Sequence, residues 1–171
     1  MFDEKFIRMK IAIFLLLGLF VLTGCQEELI EENVKIQGIE LIAEAPIFEG
    51  SNTFTGDYDF MIDDAKKSKL KQVVINTITC EITEKDSGMV FQDIALQINA
   101  KSLGMTKIGV LNPIPSEKNV FELKPASDLE NLVQFIQGQS VTWVADINVD
   151  KDGESNLGIK ISIDATFKFL K

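Results

Sequence analysis

The sequence predicts an all-β fold, two antiparallel sheets packed face to face as a β-sandwich, with one short helix near residues 127–137. Apolar residues recur at every second position through most of the chain after Val34. Polar turns divide this pattern into about eight runs, and the runs do not alternate with helical ones. A closed barrel is the alternative architecture, because a two-residue period does not say how sheet edges are closed.

The elements follow in order. Ile39, Leu41, Ala43, Ala45 and Ile47 share one phase, and Gly38 separates them from Val34 and Ile36 as a bulge or bend would. Tyr58, Phe60 and Ile62 alternate with Asp57, Asp59 and Asp63, which reads as a half-buried strand with one wet face. The polar stretch 63–69 reads as a turn. Leu70 to Thr83 is rich in Val, Ile and Thr, yet Val73 and Ile75 face opposite to Val74, Ile78, Cys80 and Ile82, so its burial phase stays ambiguous. Ile94 to Ala100 and Thr106 to Leu111 give two more strands, the second closed by Asn112-Pro113; Phe121 and Leu123 give a short one ending before Pro125.

One segment changes period. Ser127-Asp128-Leu129-Glu130 fits a capping box, and Leu129, Leu132, Val133 and Ile136 follow at helical spacing before Gly138. The last two strands are the most regular. Val141, Trp143, Ala145, Ile147 and Val149 share a phase, as do Leu157, Ile159, Ile161, Ile163, Ala165, Phe167 and Phe169.

The amino end follows another logic. Lys5, Arg8 and Lys10 flank an apolar run from Ile11 to Val21 that is too short to span a bilayer, which takes roughly 20 residues. It leads into Leu22-Thr23-Gly24-Cys25, which resembles the lipobox of bacterial lipoproteins. The resemblance implies cleavage between Gly24 and Cys25, a diacylglycerol on the Cys25 thiol, and membrane lipid as a partner through that acylated residue. Glu27, Glu28, Glu31 and Glu32 close behind the cysteine resemble the surface-export signal of Bacteroidetes lipoproteins. Gln26 in the following position fits outer-membrane attachment, with the membrane face left open. The expected division is a signal peptide over 1–24, a lipidated cysteine and acidic tether over 25–33, and a single β domain over 34–171. That domain resembles small uncharacterised β-sandwich lipoproteins of Bacteroidetes-type bacteria, on the Phe121-Glu122-Leu123 segment, the helix at Leu129 to Ile136 and the long final strand.

Charge narrows the partners. Without residues 1–24 the chain keeps 14 basic and 24 acidic residues, a balance opposed to nucleic acid and its phosphates. There is no histidine, so histidine-based triads and metal sites are excluded. Cys80 has no partner for an intramolecular disulfide once Cys25 carries lipid, and its strand-like surroundings predict a buried, inert thiol.

The candidate sites each have a plainer reading. Asn148, Asp150 and Asp152, followed by Gly153, have the spacing of half a calcium loop, but Ile159 stands where a bidentate acid is needed and the flanks are strands, so a polar hairpin turn is the simpler reading. Asp57, Asp59, Asp63 and Asp64 are the carboxylates that an accessory glycan hydrolase could use, although alternation places Asp57 and Asp59 on a wet face. Trp143 and Tyr58 would stack on carbohydrate or peptide if exposed, while the phase of Trp143 favours the core. No cofactor motif appears. The function expected is a noncatalytic, membrane-anchored binding or scaffold module for an envelope protein or glycan; the alternatives are the carboxylate hydrolase and a hydrophobic-ligand carrier with a large internal cavity.

Overall fold

The structure, a computed structural model, describes residues 28–126, 132–138 and 140–171. Gly24 and Cys25, with the lipobox, lie outside these residues, as does the capping box at Ser127 to Glu130. Eight strands form in chain order: β1 (Leu29–Ala43), β2 (Gly50–Tyr58), β3 (Leu70–Glu84), β4 (Phe91–Ala100), β5 (Gly104–Leu111), β6 (Val120–Pro125), β7 (Val141–Val149) and β8 (Leu157–Leu170). Among the described residues two six-residue helices interrupt them, α1 (Asp64–Lys69) and α2 (Leu132–Gln137).

The all-β antiparallel prediction holds, but the strands close into one barrel in the order β1-β2-β7-β4-β5-β6-β3-β8. The expected open sandwich is therefore corrected, and the reason is visible in the ladders. Full ladders unite β2-β7-β4-β5 on one side and β6-β3-β8-β1 on the other. Only Ile42↔Thr55 joins β1 to β2, and only Gly109↔Pro125 and Val110↔Lys124 join β5 to β6. The barrel is thus a sandwich-like pair of four-stranded halves stitched at two short seams.

A glycine sits at each seam. A Cβ on Gly56 would lie well inside van der Waals contact of the Glu40 carbonyl oxygen, and one on Gly109 would come within 2.8 Å of Ile78 Cδ1 and 3.2 Å of the Lys124 carbonyl oxygen. Only a residue without a side chain lets the halves approach this closely.

Two more features explain the sequence pattern. The β1–β8 register shifts between Ile36 and Ile39, where Gly38 has φ +80°, so the predicted bulge is present. In β3 the register against β8 shifts between Ile75 and Thr77, which moves burial from the phase of Val73 to that of Ile78, Cys80 and Ile82. The ambiguous phase was a bulge within one strand.

Three expectations change. The strand expected around Tyr58 to Ile62 lies earlier, at Gly50–Tyr58, and Phe60 and Ile62 follow it as core-packing residues outside the ladder. The stretch after Asp63 is a helix, not a turn: the Asp63 carboxylate accepts from the Ala65 amide at 2.8 Å, and Lys66, Lys67 and Lys69 sit in the last turn. The tether expected over 25–33 is shortened, because β1 begins at Leu29 and residues Leu29 to Asn33 pair with Leu170 to Thr166. Its three described glutamates are ion-paired, Glu28 with Lys171 at 2.8 Å, Glu31 with Lys168 at 2.9 Å and Glu32 with Lys66 at 2.9 Å.

Because every neighbouring pair of strands is antiparallel, the connections sort to two ends. The upper end holds the connections 44–49, 85–90, 112–119 and 150–156. The lower end holds 59–69 with α1, 101–103, and the segment bearing α2, together with Glu28 and Lys171. The interior is apolar throughout, from Leu41 and Phe54 to Trp143 and Phe167.

Candidate functional site

The upper end carries the side chains singled out by their calcium-like spacing, and the structure uses them as anchors between loops. The Asp150 carboxylate accepts from the Val90 amide at 2.7 Å, and the Asp152 carboxylate accepts from the Glu49 amide at 2.7 Å. Asn148 instead donates from its side-chain amide to Asp93 at 2.8 Å, one strand away. The three residues thus address three partners on three different segments. Among the described residues no group of three or more carboxylates or thiols is gathered for a metal ion.

The same chemistry recurs across this end. Asn156 Oδ1 accepts from the Ala45 amide at 2.9 Å, and Ile47 and Gly153 exchange two backbone hydrogen bonds of 3.0 Å. Asp86 Oδ2 accepts from the amides of Glu154 at 3.0 Å and Ser155 at 3.4 Å. Lys151 Nζ donates to the Ser87 carbonyl at 2.7 Å. Three connections, 44–49, 85–90 and 150–156, are consequently held as one unit. Each such bond satisfies a backbone N–H or carbonyl that a loose loop would leave to water.

Between the second and third of these connections lies a polar groove of about 500 Å³, lined by Asp86, Ser87, Lys151, Asp152, Glu154 and Ser155. The Ser155 hydroxyl donating to Asp86 is the main reason the Asp86 carboxyl is held below its ordinary pKa, with the Ser155 and Glu154 amides and the nearby Lys151 charge acting in the same direction and desolvation opposing them. A proton donor for glycoside cleavage needs the opposite shift. At Gly153 a Cβ would meet Asp86 Oδ2 at 2.5 Å and Met89 Cε at 2.8 Å, so a larger residue would have to push these two side-chain tips aside. Beside the groove, Phe48 is 64% exposed at the tip of the first connection.

The other candidates are dispersed. The Asp57 carboxylate accepts from the Thr142 hydroxyl at 2.7 Å across the β2–β7 ladder, while Asp63 caps α1. Asp59 and Asp64 are exposed. Trp143 is 2% exposed and Tyr58 is half-buried, its ring edge-on to Phe60 at 5.4 Å, so the two aromatic rings pack inward and form no surface stacking platform. Burial, with the Glu81 charge adding to it, pushes the Cys80 thiol up to about 12, which suits the inert reading.

A carrier needs internal volume. The apolar cavity beneath α2, lined by Ile36, Val73, Ile98, Leu132 and Trp143 among others, measures about 10 Å³. That volume admits about one water-sized sphere and no apolar ligand, so this cavity gives the hydrophobic-ligand carrier no support.

The tied upper loops are what sequence reasoning missed. Their signal was present as Asp, Asn and Gly clusters at the ends of strands, which mark loop anchoring as readily as metal binding.

No protein-family model matches this sequence, and no curated protein matches it. Among solved structures the chain is similar to one of the carbohydrate-binding modules of the β-sandwich superfamily, at 11% identity and a TM-score of 0.35, over 81% of this chain and 56% of that one. This chain therefore spans just over half of that chain's length. A second likeness is to the semi-empty virus-like particle of the Macrobrachium rosenbergii nodavirus, at 6% identity and a TM-score of 0.28, over 83% of this chain and 96% of that one.

Proposed function

We propose that the protein is an envelope lipoprotein, held at the outer membrane by acylated Cys25, that works as a noncatalytic binding or scaffold module through its upper loops. One observation carries this reading: three upper connections are cross-tied by side-chain and backbone hydrogen bonds, at the end of the barrel opposite the one where Glu28 lies. A loop surface fixed before contact avoids part of the ordering entropy that association otherwise costs. Attachment at the lower end leaves that surface facing away from the bilayer, and confinement to a membrane raises the effective concentration of a weak binder.

The chemistry of the face favours a partner protein with a basic surface. The four upper connections hold seven acidic residues against three basic ones, with Phe48 as the exposed apolar contact. Complementary charge steers such encounters and penalises wrong partners.

The test is site-specific photocrosslinking in intact cells, with the reactive group at Phe48 in one strain and at Thr77 on the barrel wall in another. A defined envelope protein captured from Phe48 alone supports the reading. Identical products from both positions, or none from either, would refute it. A glycan adduct at Phe48 would keep the binding face and reassign its partner.

A further inference from the structure

We infer that the lower end of the barrel is a membrane-contacting face, seated directly on the phospholipid surface by Leu29, Ile30, Met61, Leu103 and Met105. The inference rests on the lipoprotein reading and adds an orientation and a contact surface to it.

Reach limits how far the lower end can stand from the lipid. Glu28 is already fixed to the barrel, its carbonyl accepting from the Lys171 amide at 3.1 Å and its carboxylate paired with Lys171 Nζ at 2.8 Å. Three Cα steps separate it from Cys25, and an extended chain covers at most about 3.6 Å per step. The lower end is thus held within about 11 Å of the acylated residue, which places it in or against the headgroup layer.

This end also presents exposed apolar side chains. Leu29 and Ile30 are 41% and 45% exposed, and Met61 is 98% exposed between β2 and α1; Leu103 and Met105 are exposed at the β4–β5 turn. Leu29 and Ile30 are consecutive residues of one strand, so an ordinary half-buried strand would hide one of them. Neither is hidden.

Charge sets the two ends apart as well. The lower connections 59–69, 101–103 and 126–140 hold five acidic and four basic residues, whereas the upper connections hold seven acidic and three basic. Lys66, Lys67 and Lys69 fall together in the last turn of α1. An anionic lipid surface repels the upper end and tolerates the lower one, so the charge distribution sets the same orientation as the anchor.

Full-length lipidated protein in vesicles of phosphatidylethanolamine and phosphatidylglycerol with brominated acyl chains tests this. Ile30→Trp, Met61→Trp and Phe48→Trp are compared by fluorescence quenching, with Trp143 left in place as a buried, constant background. The emission added by Ile30→Trp and by Met61→Trp should be quenched, as expected for side chains at the headgroup–acyl boundary, and that of Phe48→Trp should not change. Vesicle flotation with no quenching at any position overturns the contact face while leaving the anchor intact. Equal quenching at Phe48 and Met61 overturns the orientation. A chain that does not float and carries no lipid on Cys25 overturns the anchoring reading and this inference with it.

Discussion

Gly56→Ala should open the β1–β2 seam. The added methyl would overlap the Glu40 carbonyl oxygen, with Leu41 Cδ2 at 3.0 Å and the Glu40 carbonyl carbon at 3.1 Å on the same side. Glu40 is paired with Lys160 in the long β1–β8 ladder, so its backbone cannot retreat without breaking that register. Overpacking of this kind costs about 1–3 kcal/mol, while replacing a strand glycine by alanine returns about 0.5–1 kcal/mol of backbone entropy. Against a backbone obstacle the upper part of the first range applies, leaving a net loss of about 2 kcal/mol. For a domain of this size that lowers Tm by about 4–8 °C. Gly109→Ala is the internal comparison, because its nearest obstacle is the flexible tip of Ile78 at 2.8 Å. It should cost less than half as much. Urea and thermal unfolding followed by circular dichroism measure both. A Gly56→Ala protein within about 0.5 kcal/mol of the parent, the usual range for an inconsequential surface change, would show that the seam is not a tight closure.

Three further outcomes follow from the same geometry. A chain beginning at Asn33 loses the strand pairs of Leu29 to Glu32 and the ion pairs of Glu28, Glu31 and Glu32, and should be less stable in urea than one beginning at Glu28; equal midpoints would restore the longer tether. Trp143 Nε1 is buried without an acceptor, so Trp143→Phe removes an unsatisfied donor along with some volume and should cost under about 1.5 kcal/mol, against about 3–5 kcal/mol for Trp143→Ala, both read by urea unfolding. Asp86 has a lowered carboxyl pKa in the folded chain, so its stabilising contribution is present above the unfolded value near pH 4 and lost as pH falls through the lower folded value. Asp86→Asn should therefore lose the part of the acid destabilisation that Asp86 supplies, seen as a flatter dependence of Tm on pH below about 4; parallel curves for the two proteins would contradict the assignment.

The sequence made the strand phases legible wherever one face is core and the other is wet, as in β7 and β8, where burial alternates without a break from Ile159 to Phe169. It also marked the Gly38 bulge, because a glycine interrupting a period is a local signal. Closure was not legible. Whether two half-barrels stay apart or join depends on Gly56 meeting Glu40 and Gly109 meeting Lys124, contacts between residues distant in the chain that no short window contains. The acidic leader misled for a related reason: Glu28, Glu31 and Glu32 look solvated until the lysines that face them, 34 to 143 positions away, are brought alongside. At the upper end the residue types were visible and their partners were not. A carboxylate accepts from a backbone amide as readily as it binds calcium, and Asp150 and Asp152 had amides within reach.

The long β1–β8 ladder also governs how the molecule bears force. A partner pulled from the upper loops while Cys25 is held below would load β1 along its own axis. Thirteen residue pairs join β1 to β8, with hydrogen bonds lying across the strands. Tension along the strand is then shared by the bonds of the ladder at once, in shear, where a pull across it would open them one after another. Under such a pull the load would pass through the long β1–β8 joint, and the single-pair seam at Ile42 and Thr55 would stand outside the line of pull.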